Sequence, residues 1–126
     1  MDKPQRRIAY TDLNVWKRAT EFSAQVSRVT ESAAFSRSPE LRGQLYRSAL
    51  SIPSNIAEGE GQGSNRGTIK FYFIARGSLY EARTQLLEAL NRNCIGQQKY
   101  DEVSSLADDV ARLIAGVIRA RRAREK

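Results

Sequence analysis

Apolar residues recur every three or four positions through almost the whole chain, in four long stretches separated by three short breaks. That period belongs to helices with one buried face, and it leaves no room for the strict alternation of half-buried strands. The first stretch covers about residues 12–33, with Thr11 or Asp12 as its cap and Leu13, Trp16, Ala19, Phe22, Val26 and Val29 as its stripe. A break around residues 35–37 is polar apart from Phe35. The second stretch opens at Ser38, Pro39 and Glu40: a hydroxyl cap, a proline at the first helical position and an acid at the positive end of the helix dipole. Leu41, Leu45, Ala49, Ile52 and Ile56 form its stripe. Pro53 falls inside that pattern and predicts a kink rather than an end, because Ile56 and Ala57 keep the period afterwards. Nearby serines are suited to satisfying the carbonyl that proline frees.

Glycines at 59, 61 and 63, followed by Ser64 and Asn65, mark the clearest loop. The third helix is then expected to about residue 93, with Phe71, Ile74, Ala75, Ser78, Leu79, Ala82, Leu86 and Leu90 along its buried side. Gly77 lies in its middle, where glycine costs on the order of 1 kcal/mol relative to alanine; close approach of a neighbouring helix would compensate. Gly96 stops it. The last helix, from about residue 98, shows Val103, Leu106, Val110, Leu113 and Val117, joined by Ala107, Ile114 and Ile118. At ~20–25 residues it spans ~30–37 Å. Four helices of similar length with short connections pack most simply as an all-α, antiparallel, up-down-up-down four-helix bundle. A chain of 126 residues suits one such domain.

The residues that are missing narrow the chemistry. With no His and one Cys, Cys94, the chain has no internal disulfide and lacks the usual ligands for zinc, copper and non-haem iron. Ser-His-Asp and Cys-His catalysis are excluded with them. No catalytic, cofactor-binding or metal site is expected, and no small-molecule substrate. No apolar run reaches membrane-spanning length, and the N-terminus has no apolar core of a signal peptide, so the expected compartment is the cytoplasm, with no membrane partner.

Net charge is +7, concentrated at the ends. Residues 1–11 form a basic arm with Lys3, Arg6 and Arg7 against Asp2; residues 119–126 form an Arg-rich extension of the last helix, with Arg119, Arg121, Arg122, Arg124 and Lys126 against Glu125. The bundle between, residues 12–118, is nearly neutral. Arginines at a helix C-terminus complement its dipole, but five cations in eight residues also suit sequence-blind attraction to phosphates.

Three constellations stand out. The Gly-rich segment resembles a phosphate loop only superficially: it follows a helix instead of a strand, and Asn65, Arg66 and Gly67 stand where Gly-Lys-Ser/Thr is needed, so an interhelical turn is the better reading. Arg47, Ser51, Asn55 and Glu58, at steps of four, four and three, share one helical face, with Glu81 on the third helix placed to meet Arg47 or Asn55. An acid/base pair of Glu58 and Glu81 would lack a nucleophile or metal; a structural polar network, inside the bundle or at a subunit interface, accounts for them better. Finally, Lys70, Phe71, Tyr72, Phe73, Arg76, Tyr80 and Arg83 interleave rings with cations, and Arg76, Tyr80 and Arg83 with Tyr72 and Phe73 suit phosphate contact and base stacking. Phe71 and Ile74 are expected to point one way and Tyr72 and Phe73 partly another, an excess of apolar cover that suggests a further interface with another copy.

These segments carry a resemblance. Asp12-Leu13-x-Val15-Trp16-Lys17, Gln44-Leu45-x-Arg47-Ser48-Ala49-x-Ser51-Ile52-Pro53-Ser54-Asn55-Ile56-Ala57-Glu58-Gly59 and Phe71-x-Phe73-Ile74-Ala75-x-Gly77-Ser78-Leu79-x-Glu81 are similar to the bacterial four-helix bundle proteins, also called 23S rRNA intervening-sequence or S23 proteins, over roughly residues 12–118. The resemblance implies an antiparallel bundle assembling as a homopentamer, Pro53 within a helix, and Arg47, Asn55, Glu58, Gly77 and Glu81 as signature positions. A related accessory protein of diversity-generating retroelements is a similar basic pentameric bundle associated with nucleic acid and a reverse transcriptase. Two departures are visible: Gly61-Gln62-Gly63-Ser64 replaces the usual Gly-Arg-x-Ser, and the Arg-rich extension lies outside the signature. The expected function is a non-enzymatic homo-oligomer that binds RNA or DNA or accompanies a ribonucleoprotein, with Arg76, Arg83, Arg119, Arg121, Arg122 and Arg124 as its contacts. The alternative is a protein-interaction scaffold with no nucleic-acid role.

Overall fold

In a computed structural model, which describes residues 9–125, the regular structure consists of four α-helices and two short 3-10 turns, with no strand among the described residues. The helices are α1 (Asn14–Thr30), α2 (Pro39–Glu60), α3 (Asn65–Asn91) and α4 (Gln97–Ala123), and the turns are Tyr10–Asp12 and Ala33–Arg37. Most of the basic arm expected over residues 1–11, including Lys3, Arg6 and Arg7, lies outside the described residues, as does Lys126.

Each helix packs on two neighbours, α1 on α2 and α4, and α3 on α2 and α4. Cross-helix contacts fix the direction. Ser48 meets Glu81 while Ser51, further along α2, meets Ser78, earlier on α3. Arg83 meets Asp108 on α4, whereas Arg122 reaches back to Phe73. These pairs run antiparallel, as the bundle reading requires. The apolar stripes meet on the axis: Phe22, Val26, Leu45, Ile52, Ile56, Leu79, Leu86, Val103, Val110 and Ile114 are fully enclosed. Burial of each such side chain contributes roughly 1.5–3 kcal/mol.

The helix ends differ from the sequence reading in instructive ways. α1 begins after Leu13, not after a Thr11 or Asp12 cap; residues 10–12 are drawn into the 3-10 turn, and the Tyr10 ring packs edge-on against Trp16 with centroids 5.6 Å apart. Phe35 is the one buried residue of the next turn, plugging the bundle end beneath a polar break. Ser38 occupies the cap position of α2 but makes no side-chain cap bond. α2 continues through Pro53 to Glu60, with Pro53 itself buried. Of the serines expected to serve the freed carbonyl, Ser54 donates its Oγ to the Leu50 carbonyl, one residue further on, and Asn55 Nδ2 donates to that of Ser51.

The tight helix approach predicted at Gly77 occurs elsewhere. A side chain at Gly77 would meet open space, whereas a Cβ at Gly59 would lie 3.1 Å from Phe71 Cβ and 3.2 Å from the Thr68 carbonyl. Gly59 is therefore where α2 and α3 touch backbone to backbone, sealed by Thr68 Oγ1 donating to the Gly59 carbonyl at 2.8 Å. Helical α2 absorbs Gly59, so the turn shrinks to residues 61–64, with Gly63 at φ +76° and Ser64 Oγ accepting from the Gly67 amide.

Candidate nucleic-acid interface

The rings of α3 sort differently from their expected order. Tyr72, assigned outward by the sequence, is fully buried; Ile74, assigned to the core, is 42% exposed. A tyrosine enters a core only with a partner for its hydroxyl. That partner is Glu60 at the end of α2, whose Oε2 accepts from Tyr72 Oη at 2.6 Å. Arg121 on α4 completes the group: its Nη2 donates to Glu60 Oε1 at 3.0 Å and its Nη1 to Asn65 Oδ1 at 3.0 Å. Burial, and then the neighbouring Glu60 carboxylate, push the Tyr72 phenol well above its ordinary value, with Arg121 opposing. Arg121 is thus a latch between α4 and the α2–α3 turn. It is not a free phosphate contact, which corrects its expected role. Nothing in the local pattern marked Glu60 as its partner, because the two are far apart in sequence.

The remaining arginines divide further. Arg83 is engaged by Asp108 at 2.5 Å, so it reaches a ligand only by leaving that pair. Arg119, Arg122 and Arg124 are exposed on the last turns of α4 and make no ion pair among the described residues. Arg76 and Arg122, from different helices, both stack on one ring: their guanidinium carbons lie 4.7 and 5.2 Å from the centroid of Phe73. A ring quadrupole attracts a cation in this position and holds the guanidinium plane without consuming its charge. Tyr80, one turn along from Arg76, is 62% exposed, the most exposed large apolar side chain described.

The polar network lies on the outer seam between α2 and α3. Ser51 and Ser78 hydroxyls are 2.9 Å apart, Asn55 Nδ2 donates to Ser51 Oγ at 2.9 Å, and Ser48 Oγ donates to Glu81 at 3.3 Å. Glu81 therefore meets Ser48 in place of the expected Arg47 or Asn55. Arg47 instead folds back along its own helix over Gly43. Glu58 is exposed and forms no ion pair among the described residues. The seam forms an open groove of ≈ 500 Å³ lined by Gln44, Arg47, Ser48, Ser51, Ser78, Glu81 and Gln85. Among the described residues no group of three or more acidic or cysteine side chains converges as a metal-binding set. No described helix is long and apolar enough to cross a membrane.

Fold and surface together define a small antiparallel four-helix bundle with a polar seam on one side of α3 and a basic, aromatic face on the other. The family model described as 23S rRNA-intervening sequence protein matches residues 11–116, and the chain belongs to that family. A crystal structure of a protein of unknown function from the S23 ribosomal protein family of Bacteroides thetaiotaomicron VPI-5482 shares the fold. It superposes with a TM-score of 0.74 at 20% identity, over 82% of this chain and 97% of that one. A comparison with curated proteins finds no match.

Proposed function

We propose that this chain is a non-enzymatic, cytoplasmic homo-oligomer, built as a pentamer, that binds nucleic acid or accompanies a ribonucleoprotein particle. The observation that carries the reading is the set of exposed arginines at the end of α4: Arg119, Arg122 and Arg124 have no acidic partner among the described residues. A helix C-terminus benefits from one or two cations nearby. Three unpaired guanidiniums, beside a fourth at Arg76, exceed that need and repel one another unless an anion joins them. The family description, with its reference to an intervening sequence of 23S rRNA, supports the same direction. Five copies would multiply a weak phosphate surface into an avid one.

The test is binding of mixed RNA and DNA across a salt series, with light scattering for subunit number. Affinity should fall steeply as salt rises, and less steeply after Arg119→Gln and Arg124→Gln. Point substitutions leave the Arg121 latch in place, which deletion of residues 119–126 would remove. Absence of binding to either nucleic acid at low salt would sink the reading.

One observation favours the scaffold alternative. The groove between α1 and α2, ≈ 450 Å³ in volume, is lined by Tyr10, Trp16, Tyr46, Leu50 and small residues, with Tyr46 and Leu50 nearly half exposed. Apolar cover of this kind suits a protein surface. Loss of oligomer mass on Leu50→Asp with nucleic-acid binding absent throughout would favour that alternative.

A further inference from the structure

Resting on the nucleic-acid reading, we infer that the α3–α4 face is a binding site for single-stranded polynucleotide, with Arg76 and Arg122 on Phe73 as the phosphate clamp and Tyr80 as the base platform. The clamp comes first. Two guanidiniums from separate helices converge on one ring, and neither makes an ion pair among the described residues. Cations placed against a ring keep their outward donors available, and two of them suit the oxygens of a phosphodiester. With two guanidiniums against it, Phe73 is committed to holding cations, so the stacking surface must be another ring.

Tyr80 is that ring. It sits four residues beyond Arg76, one turn or about 6 Å along the axis, and 62% of it faces solvent. An exposed aromatic face stacks a base only when that base is free of a duplex stack. This geometry selects single strands over duplexes, whereas arginines alone would not.

Gly77 lies between the two, and a side chain there would meet nothing within 4 Å. It leaves the helix backbone uncovered between clamp and platform, where a sugar-phosphate backbone can approach. Of the two acids bordering this face, Asp108 is paired with Arg83, and Glu81 on the far side of Gly77 accepts from Ser48, against the two unpaired guanidiniums of Arg76 and Arg122.

The experiment uses the full chain with labelled oligo-uridine, oligo-thymidine and a duplex of equal length, each across a salt series, with light scattering and circular dichroism on every variant. Single strands should bind more tightly than duplex. Tyr80→Ala should weaken single-strand binding by about tenfold, Tyr80→Phe should retain it, and duplex binding should not respond. Arg76→Gln and Arg122→Gln should each lower the logarithmic salt slope by about 0.7, the share of one phosphate contact on a single strand. Gly77→Leu should abolish the preference for single strands while leaving helix content unchanged. Oligo-uridine against oligo-thymidine separates RNA from DNA as the source. Equal binding of duplex and single strand, indifferent to Tyr80→Ala, would overturn the inference and leave the broader reading standing. So would a change of oligomer mass in Tyr80→Ala or Gly77→Leu, which would make this face a subunit contact. No binding of any oligonucleotide at low salt would remove both.

Discussion

The two sides of α3 differ in what their polar and charged groups are left to do. On the α2 side, Ser48, Ser51, Asn55, Ser78 and Glu81 bond one another across the seam. On the α4 side, Arg76 and Arg122 rest on Phe73, and Tyr80 stands clear of the protein. Polar groups whose partners lie within the fold contribute register and stability. Cations that the fold holds but does not neutralise retain an interaction for something else. Glycines follow the same division: Gly59 is spent on helix contact, Gly77 faces open space. Even consecutive arginines divide, with Arg121 tied to Glu60 and Arg122 on the open face.

The largest effect should come from breaking the contact that Gly59 makes. Gly59→Val places branched carbons against Phe71 Cβ and the Thr68 carbonyl, atoms fixed to a helix backbone that no rotamer change relieves. A loss of about 3 kcal/mol is expected from overpacking, read as a lower urea midpoint. An unchanged midpoint would mean that α2 and α3 separate easily, and the seam would cease to be the rigid side. Next comes Glu60→Ala, which strips a charged acceptor from both Tyr72 and Arg121. About 2 kcal/mol should be lost, and the freed Arg121 should raise the salt slope of nucleic-acid binding. A stability loss with no change in slope would show that position, not neutralisation, keeps Arg121 from phosphate.

Much of this division could be read in the sequence, and the part that could not has a physical cause. Periodicity located all four helices, because a buried stripe must recur with the turn of the helix. Ser51 and Asn55, one turn apart on the same face of α2, hydrogen-bond as that spacing allows. The failures fall where a partner comes from another helix. Periodicity alone cannot rank Tyr72 against Ile74, since their order depends on the Glu60 acceptor twelve residues earlier. Gly59 looked like a loop residue because three glycines stood in alternation, yet its missing Cβ serves packing. Arg121 and Arg122 are indistinguishable by composition; only the fold brings one to Glu60 and the other to Phe73.

The buried end of the division also has a pH signature. The raised pKa of Tyr72 means that the folded chain keeps its proton where the unfolded chain, titrating near 10.0, releases it. The unfolded state then binds fewer protons, so stability is fully present below about pH 10 and falls as pH rises beyond it. One such group accounts for up to about 1.4 kcal/mol per pH unit. Tyr72→Phe should flatten this part of the decline relative to the parent chain in urea titrations between pH 9 and about 11. Equal slopes would show that the phenol reaches solvent, and that Glu60 and Arg121 close over it less tightly than the hydrogen bonds indicate.

The smallest expected effect separates the two glycines most directly. Gly77→Ala adds a methyl group to open space in the middle of α3, so only helix propensity changes, and stability should rise by about 1 kcal/mol. A methyl group at Gly59 would instead sit 3.1 Å from Phe71 Cβ and 3.2 Å from the Thr68 carbonyl, so α2 and α3 would have to give by a few tenths of an ångström, although both positions are glycine within regular helix. If Gly77→Ala stabilises the chain and Gly77→Leu still impairs single-strand binding, glycine at 77 is retained for what approaches the surface, at a cost to the fold. A destabilised Gly77→Ala would instead place a neighbouring subunit against this turn, and the open face of α3 would become part of the assembly.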